Sequence, residues 1–535
     1  MRKNIITIIA LLSLCSCLDE DPRSQLYERE AFATASDLYN NTVANLYNFI
    51  GGSADSQGLQ GTSRGVWDLC ELTTDEAIIP TRGGDWFDGG LWQSLYLHQY
   101  NPGTQPIEGT WDYLYKVIVM CNQALAQLDE HSGLLNEQTL AQYKAEVRTL
   151  RSLYYVYLID LFGQVPYLDT AATLLKETNQ ISRSELFENI WNKITEALPL
   201  LPDARSNQEG EYYGRITRHV AWFILAKMAL NAEVWTYDDW TDEYRVPGDE
   251  ILFNCEGHTL NAWETCLYWC NKFVEAGYNL EDEYATNFSV NNEISRENIF
   301  TIPMNKFLYA NTFNNLFRSR HYNHGMALGM DAENGISATV NAVRTYGYGT
   351  RDEDTRYVLN FFSDTVYVDG KTVLLDNGLP LVYMPLEVEL DLSGSRYEKT
   401  AGARMKKYEI DRRAYSDGLL QSNDIVLFRY ADVVLMMAEA KVRNGWNGDA
   451  ELNYVRQRVG MAPREATLDN ILDERLMELQ WEGWRRQDLI RFDRFHRAYD
   501  ERPQLKGEAD RHTTVFPIPG RAITLNGQIK QNPEY

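Results

Sequence analysis

Apolar residues recur at three- and four-residue spacing through most of this chain, a period that predicts helices. The segments carrying it are 36–50, 108–130, 138–162, 184–198, 217–235 and 261–277, followed by a second block at 425–444, 447–459 and 468–492. In 138–162 the apolar face is Leu150, Leu153, Tyr154, Tyr157, Leu158 and Leu161. In 217–235 it is Val220, Phe223, Ile224, Met228 and Leu230, and Lys227 on the same face is expected to snorkel to water. Stop signals follow at Gly163 and Pro166, and at Pro199 and Pro202. Pairs such as 425–444 with 447–459, joined through Gly445-Trp446-Asn447-Gly448, read as antiparallel helix hairpins of tetratricopeptide type, without a strict repeat signature. Between the blocks, about 281–420, Gly, Asn, Asp and Thr become frequent and short β-type runs appear at 298–302 and 372–375. The predicted fold class is mainly α: a tetratricopeptide-like scaffold of helix pairs with a loop-rich insertion carrying short β segments. No linker separates the insertion, so 29–535 reads as one domain, its scaffold at about 29–280 and 421–500.

The first residues break this pattern. Arg2 and Lys3 precede an apolar run from Ile5 to Leu14, too short for a membrane span but suited to a secretory signal. Leu14-Cys15-Ser16-Cys17 then reads as a lipobox, with the small Ser16 before the cysteine to be cut and lipidated. Residues 1–16 are thus expected to be a lipoprotein signal peptide, and 17–28 a lipidated Cys17 followed by an acidic tether, Asp19-Glu20-Asp21.

Net charge is −25, and two units more negative once Arg2 and Lys3 leave with the leader. Such a surface lacks the phosphate-contact term of nucleic-acid binding. Cys70, Cys121, Cys255, Cys266 and Cys270 show no CxxC or zinc-like spacing and read as small buried hydrophobes. HExxH, GxSxG, Walker and dinucleotide motifs are absent, so no enzyme is expected. His321 and His324 lack a third ligand and read as loop residues rather than a metal site. The chain carries 33 Tyr, 13 Trp and 19 Phe, and the rings that fall in Gly- and Asn-rich loops suggest stacking on sugars. In 65–101, Gly83, Gly84, Gly89 and Gly90 interrupt any helix and leave Trp86 and Phe87 on irregular backbone. Asp75, Arg82 and Asp85 flank them, so a ring for the apolar face of a neutral sugar stands beside charged groups for vicinal hydroxyls. A Trp86 that caps the core is the competing reading, and Trp92 reads as core.

Several motifs follow one another along the chain: Trp111-Asp112-Tyr113-Leu114-Tyr115, Leu161-Phe162-Gly163-Gln164-Val165-Pro166, Phe428-Arg429-Tyr430-Ala431-Asp432, Trp481-Glu482-Gly483-Trp484-Arg485 and the ending Gln531-Asn532-Pro533-Glu534-Tyr535. Together, in this order, they resemble the SusD/RagB family of surface glycan-binding lipoproteins. The resemblance implies a SusD-like fold and a glycan site to which Asp75, Arg82 and Trp86 of the early loop match by order and spacing. It implies further aromatic and polar contacts from the insertion, for which Tyr309, Asn311 and Tyr322 are the choices. It also implies an outer-membrane location facing the cell exterior, and delivery of glycan to a SusC-like TonB-dependent transporter. No cofactor is required; a structural calcium ion, as in some relatives, would fall to the carboxylates around Glu281 to Glu283. A peptide-capturing relative on the same scaffold and a helical-repeat adaptor remain as alternatives. The charges of the C-terminal helices, Arg429, Asp432, Glu439, Glu474, Arg475, Glu478 and Glu482 among them, are read as ion pairs of the scaffold rather than as glycosidase carboxylates.

Overall fold

Helices occupy nearly the segments that the period assigns to them: Gln105–Glu130, Glu137–Phe162, Arg183–Ala197, Arg218–Leu230 and Ala262–Glu275. The structure, a computed structural model, describes residues 31–53, 56–242, 244–308, 311–414, 419, 421–505 and 508–535, so the leader and Cys17 lie outside the described residues. Helix ends have local causes. Pro106 opens the first of these helices, where a missing N–H costs nothing. Side-chain oxygens of Asn136 and Ser182 cap the next two, and Asn261 with Glu264 forms a reciprocal capping box. Gly163, at φ 72°, ends Glu137–Phe162 in a conformation that a Cβ would strain.

Consecutive helices stack. Gln105–Glu130 packs on Glu137–Phe162, and that helix on Arg183–Ala197; Arg218–Leu230 packs on Ala262–Glu275, which packs in turn on Tyr430–Arg443. The fold is mainly α, a tetratricopeptide-like scaffold, and its strands pair only two at a time among the described residues. One buried apolar cluster runs from Leu38 to Ile529 and includes Ile299, Phe300 and Ile336 of the insertion. All five described cysteines are free and buried, as expected of small hydrophobes. No helix of the described residues is long and apolar enough to cross a membrane.

Three expectations need correction. Ile425–Arg429 is a strand, paired antiparallel with Asn298–Ile302, and the helix starts only at Tyr430. Every residue of both strands is buried, and Ile425 to Phe428 form a continuous apolar run, so periodicity does not separate it from a buried helix. The segment 468–492 is two helices, Leu468–Leu479 and Arg485–Arg491, broken where Trp481 and Gly483 take φ of 69° and 80°. Lys227 does not reach water: it is buried, with Nζ 2.6 Å from Asp432 Oδ2.

The C-terminal charges form buried networks. Arg429 binds Glu297, Glu478 and Glu482 at 2.9, 2.5 and 2.8 Å. Glu478 also meets Arg356 at 2.8 Å and Arg458. A second network runs from Lys227 through Asp432, Arg475, Asp488 and Arg491 to Glu439. Burial alone would raise the Glu478 carboxyl; Arg458, Arg429 and Arg356 hold it well below the usual carboxylate range. Glu478 and Glu482 are fully engaged by cations and closed to solvent, which suits scaffold and not a glycosidase pair.

Candidate ligand-binding surface

The glycine-rich turn after Thr81 sets the site. Arg82 and Asp85 form an antiparallel bridge across it, and the chain then enters left-handed backbone at Trp86, φ 62°, and Asp88, φ 43°. A tryptophan rarely adopts this conformation and needs surroundings that impose it. Those surroundings are visible. The Trp86 indole N–H donates to the Glu333 carbonyl at 2.9 Å. The ring lies so close to Gly335 that a Cβ there would come within 2.6 Å of it. Trp86 is half-buried against the core and 5.9 Å from Trp92, which is itself buried, as expected.

Beside Trp86 the surface opens. Phe87 is 57% exposed and Tyr322, at the start of the helix Tyr322–Leu328, is 38% exposed. The Tyr322 hydroxyl donates to Asp85 Oδ2 at 2.9 Å, and Lys399 Nζ donates to the same oxygen at 2.7 Å. Lys399 holds the Asp85 carboxyl below its ordinary value, with Tyr322 assisting against a small desolvation cost. Desolvation and the neighbouring Asp85 push the Tyr322 phenol up to about 12. The half-open Tyr322 ring, a carboxylate and an ammonium thus share one solvent-facing patch built from the loop after Thr81, the insertion helix and the loop at 399, and the exposed Phe87 follows Asp85 by two residues on that loop.

Of the six residues expected in the ligand site, the structure places Trp86 and Tyr322 at this patch. Asp75 is a correction: it is wholly buried, with its oxygens 2.6 Å from Arg485 Nε and 2.8 Å from Arg497 Nη2. Arg82 is a second correction, buried beneath the turn. Its guanidinium donates to Ser337 Oγ at 2.6 Å and to the carbonyls of Ala401, at 3.0 Å, and Glu398, at 3.2 Å. It therefore ties the turn to the segments that carry Gly335 and Lys399, and positions the patch without facing solvent. Asn311 lies elsewhere, donating to the Pro303 carbonyl and packed on Gly51. Tyr309 lies outside the described residues. His321 and His324 are buried, and burial lowers both imidazoles, to about 4 and about 3. The Glu281 carboxylate is engaged by the backbone N–H of Arg296, and among the described residues no three metal-ligating side chains converge. Lys399 was missed because nothing local marks it: it meets Asp85 across 314 residues of chain.

Comparison with known proteins adds lineage to this geometry. Residues 352–535 match the family model described as the SusD family, and residues 79–230 match one described as starch-binding associating with outer membrane. The chain is 24% identical to the starch-binding protein SusD of Bacteroides thetaiotaomicron, covering 91% of this chain and 89% of that protein. It is also 24% identical, over the full length of both, to SusD-like protein P2 of Formosa agariphila. Among solved structures, surface glycan-binding protein A from B. thetaiotaomicron, in complex with laminarihexaose, superposes with a TM-score of 0.69 at 20% identity, covering 93% of this chain and 99% of that one. A SusD-like carbohydrate-binding protein from Bacteroides fragilis gives 0.71 at 17% identity, covering 94% and 100%. Fold, order of motifs and near full-length coverage agree: the chain belongs to the SusD family.

Proposed function

We propose that this protein captures glycan at the cell surface, on the patch formed by Trp86, Phe87, Asp85, Tyr322 and Lys399. The observation that carries the proposal is the half-exposed Tyr322 ring held on a solvent-facing carboxylate–ammonium pair, Asp85 and Lys399, with the exposed Phe87 ring two residues along the same loop. The polarised C–H face of a pyranose packs against the electron-rich ring faces, while Asp85 and Lys399 exchange hydrogen bonds with its hydroxyls. The starch-binding and laminarihexaose-bound relatives support a saccharide over a peptide. No bond is broken in this function. Lipidation of Cys17 would anchor the chain at the outer membrane, facing outward, and captured glycan would pass to a SusC-like TonB-dependent transporter.

The test is affinity electrophoresis of the soluble chain, beginning after Cys17, through gels cast with a panel of polysaccharides. Retardation in at least one gel, reduced in Phe87→Ala and in Trp86→Ala, is expected. Retardation in none, with binding of oligopeptides instead, would overturn the proposal.

A further inference from the structure

The displaced Asn311 draws attention to a second concavity that shares no residue with the Trp86 patch. A cavity of about 680 Å³ is lined by Tyr39, Tyr47, Phe49 and Tyr213, with Asn48 and Asn311 among its polar groups. That volume lies within the range of sites for small ligands. A neighbouring cavity of about 360 Å³ continues it, with Tyr213 lining both. The walls are built by close backbone approach. A Cβ on Gly214 would lie 2.3 Å from the Pro303 ring, and one on Gly51 would lie 2.5 Å from Ile302. These contacts fix the 211–215 turn and the end of the first helical segment against the strand Asn298–Ile302, with the cleft between them.

The chemistry of the cleft selects a ligand class. Its one guanidinium is spent: Arg215 binds Glu146 through Nε at 3.0 Å and Nη2 at 2.7 Å, donates to the Glu211 carbonyl at 3.1 Å, and covers the Tyr39 ring from 5.1 Å. Among the described lining residues no other cation remains to hold a carboxylate, sulfate or phosphate; Lys116, whose Nζ stands 4.6 Å from the Phe49 ring, is not part of the lining. The side chains of Glu211, Glu209 and Glu293 have no cationic partner among the described residues, and they line the two cavities as acceptors that repel anions. Amides of Asn48, Asn291 and Asn305 add further polar contacts. Aromatic rings with hydroxyl acceptors and amides, and no free cation among the described lining residues, suit a neutral polyol rather than an acidic one.

We propose that this cleft is a second binding site, specific for neutral oligosaccharide, so that one long glycan engages the chain at two places. The inference rests on the glycan-binding function above and deepens it. Two weak sites on one chain raise the retention of a polymer by about tenfold or more without any new contact at either site.

The experiment uses the soluble chain in gels of starch, laminarin, xylan and galactomannan, followed by calorimetric titration with the hexasaccharide of whichever polymer retards it. Ala44 lines the first cavity half-buried, so Ala44→Trp fills it, and Tyr213→Ala strips the shared wall. Glu211→Gln, at an exposed position, covers the case in which a wall variant does not fold, as judged by its melting curve. Two hexasaccharides per native chain are expected, with one lost in Ala44→Trp or Tyr213→Ala and the other in Phe87→Ala. Polymer retention should fall about tenfold or more in each. A single site that Ala44→Trp and Glu211→Gln leave unchanged would overturn the second site alone. Retention lost in Ala44→Trp but intact in Phe87→Ala would remove the Trp86 patch and keep the cleft. Binding confined to uronate or sulfated polymers would overturn the neutral class, and binding of no polymer would overturn both proposals.

Discussion

Asp75 and Asp85 stand ten residues apart on one loop system, yet they belong to different kinds of environment. Asp75 is closed from solvent and clamped by Arg485 and Arg497, whereas Asp85 lies at the surface with Lys399 and Tyr322. The lesson extends to the whole molecule. Buried carboxylates and guanidiniums in the C-terminal networks pair mainly with one another, closed from solvent, and such groups hold helices together. Only a charge that keeps part of its hydrogen-bonding capacity toward water can spend it on a ligand.

The largest effect should come from removing a hub of the buried network. Arg429→Met removes the shared cation of Glu297, Glu478 and Glu482 and leaves them to Arg356, Arg458 and Lys407, and breaking such a buried set costs roughly 3–5 kcal/mol. Thermal unfolding should show a large drop in Tm, and an unchanged Tm would break the contrast drawn here.

Asp424 sharpens the contrast because it is a buried carboxyl served by neutral donors, Thr301 Oγ, the Met304 N–H and the Tyr213 hydroxyl, instead of guanidiniums. Burial pushes it up to about 7, the opposite direction from Glu478. The folded chain therefore holds a proton on Asp424 that the unfolded chain releases near pH 4. Its contribution is full below that point and is lost as pH rises through about 7, by up to roughly 4 kcal/mol. Glu478 acts with the opposite sign: its contribution is present above about pH 4 and is lost as pH falls. Melting curves of the native chain and Asp424→Asn from pH 4.5 to 7.5 should converge or cross in favour of the variant as pH rises. A constant difference would refute the assignment.

How much of this was legible in the sequence follows from the range of the interactions involved. Helices such as Glu137–Phe162 were legible because period, cap and stop signal are local. The strand Ile425–Arg429 was not, since a run buried on every side has no polar phase to show its period. The same holds for the site. Trp86 stands out through its glycine-rich surroundings, which are local, and Tyr322 follows only from the family resemblance; both lie at the patch. Asp75 and Arg82 looked like loop charges because their partners, Arg485 and Ser337, are 410 and 255 residues away. Burial of a polar group is decided by such partners, and no local pattern contains them.

Smaller effects belong to the open patch. Phe87→Ala should cost about 1–2 kcal/mol of glycan affinity, roughly 5–30-fold in Kd, and less than about 0.5 kcal/mol of stability. Tyr322→Phe removes one donor from a solvated carboxylate and should cost about 0.5 kcal/mol or less in either quantity.

The most direct test sets Asp75→Asn beside Phe87→Ala and measures both the melting temperature and the Kd for the retained oligosaccharide. The account predicts separate losses: Asp75→Asn melts well below the native chain while its folded form keeps the native Kd, and Phe87→Ala melts as the native chain does but binds at least about fivefold more weakly. A weakened Kd in folded Asp75→Asn together with native affinity in Phe87→Ala would contradict it.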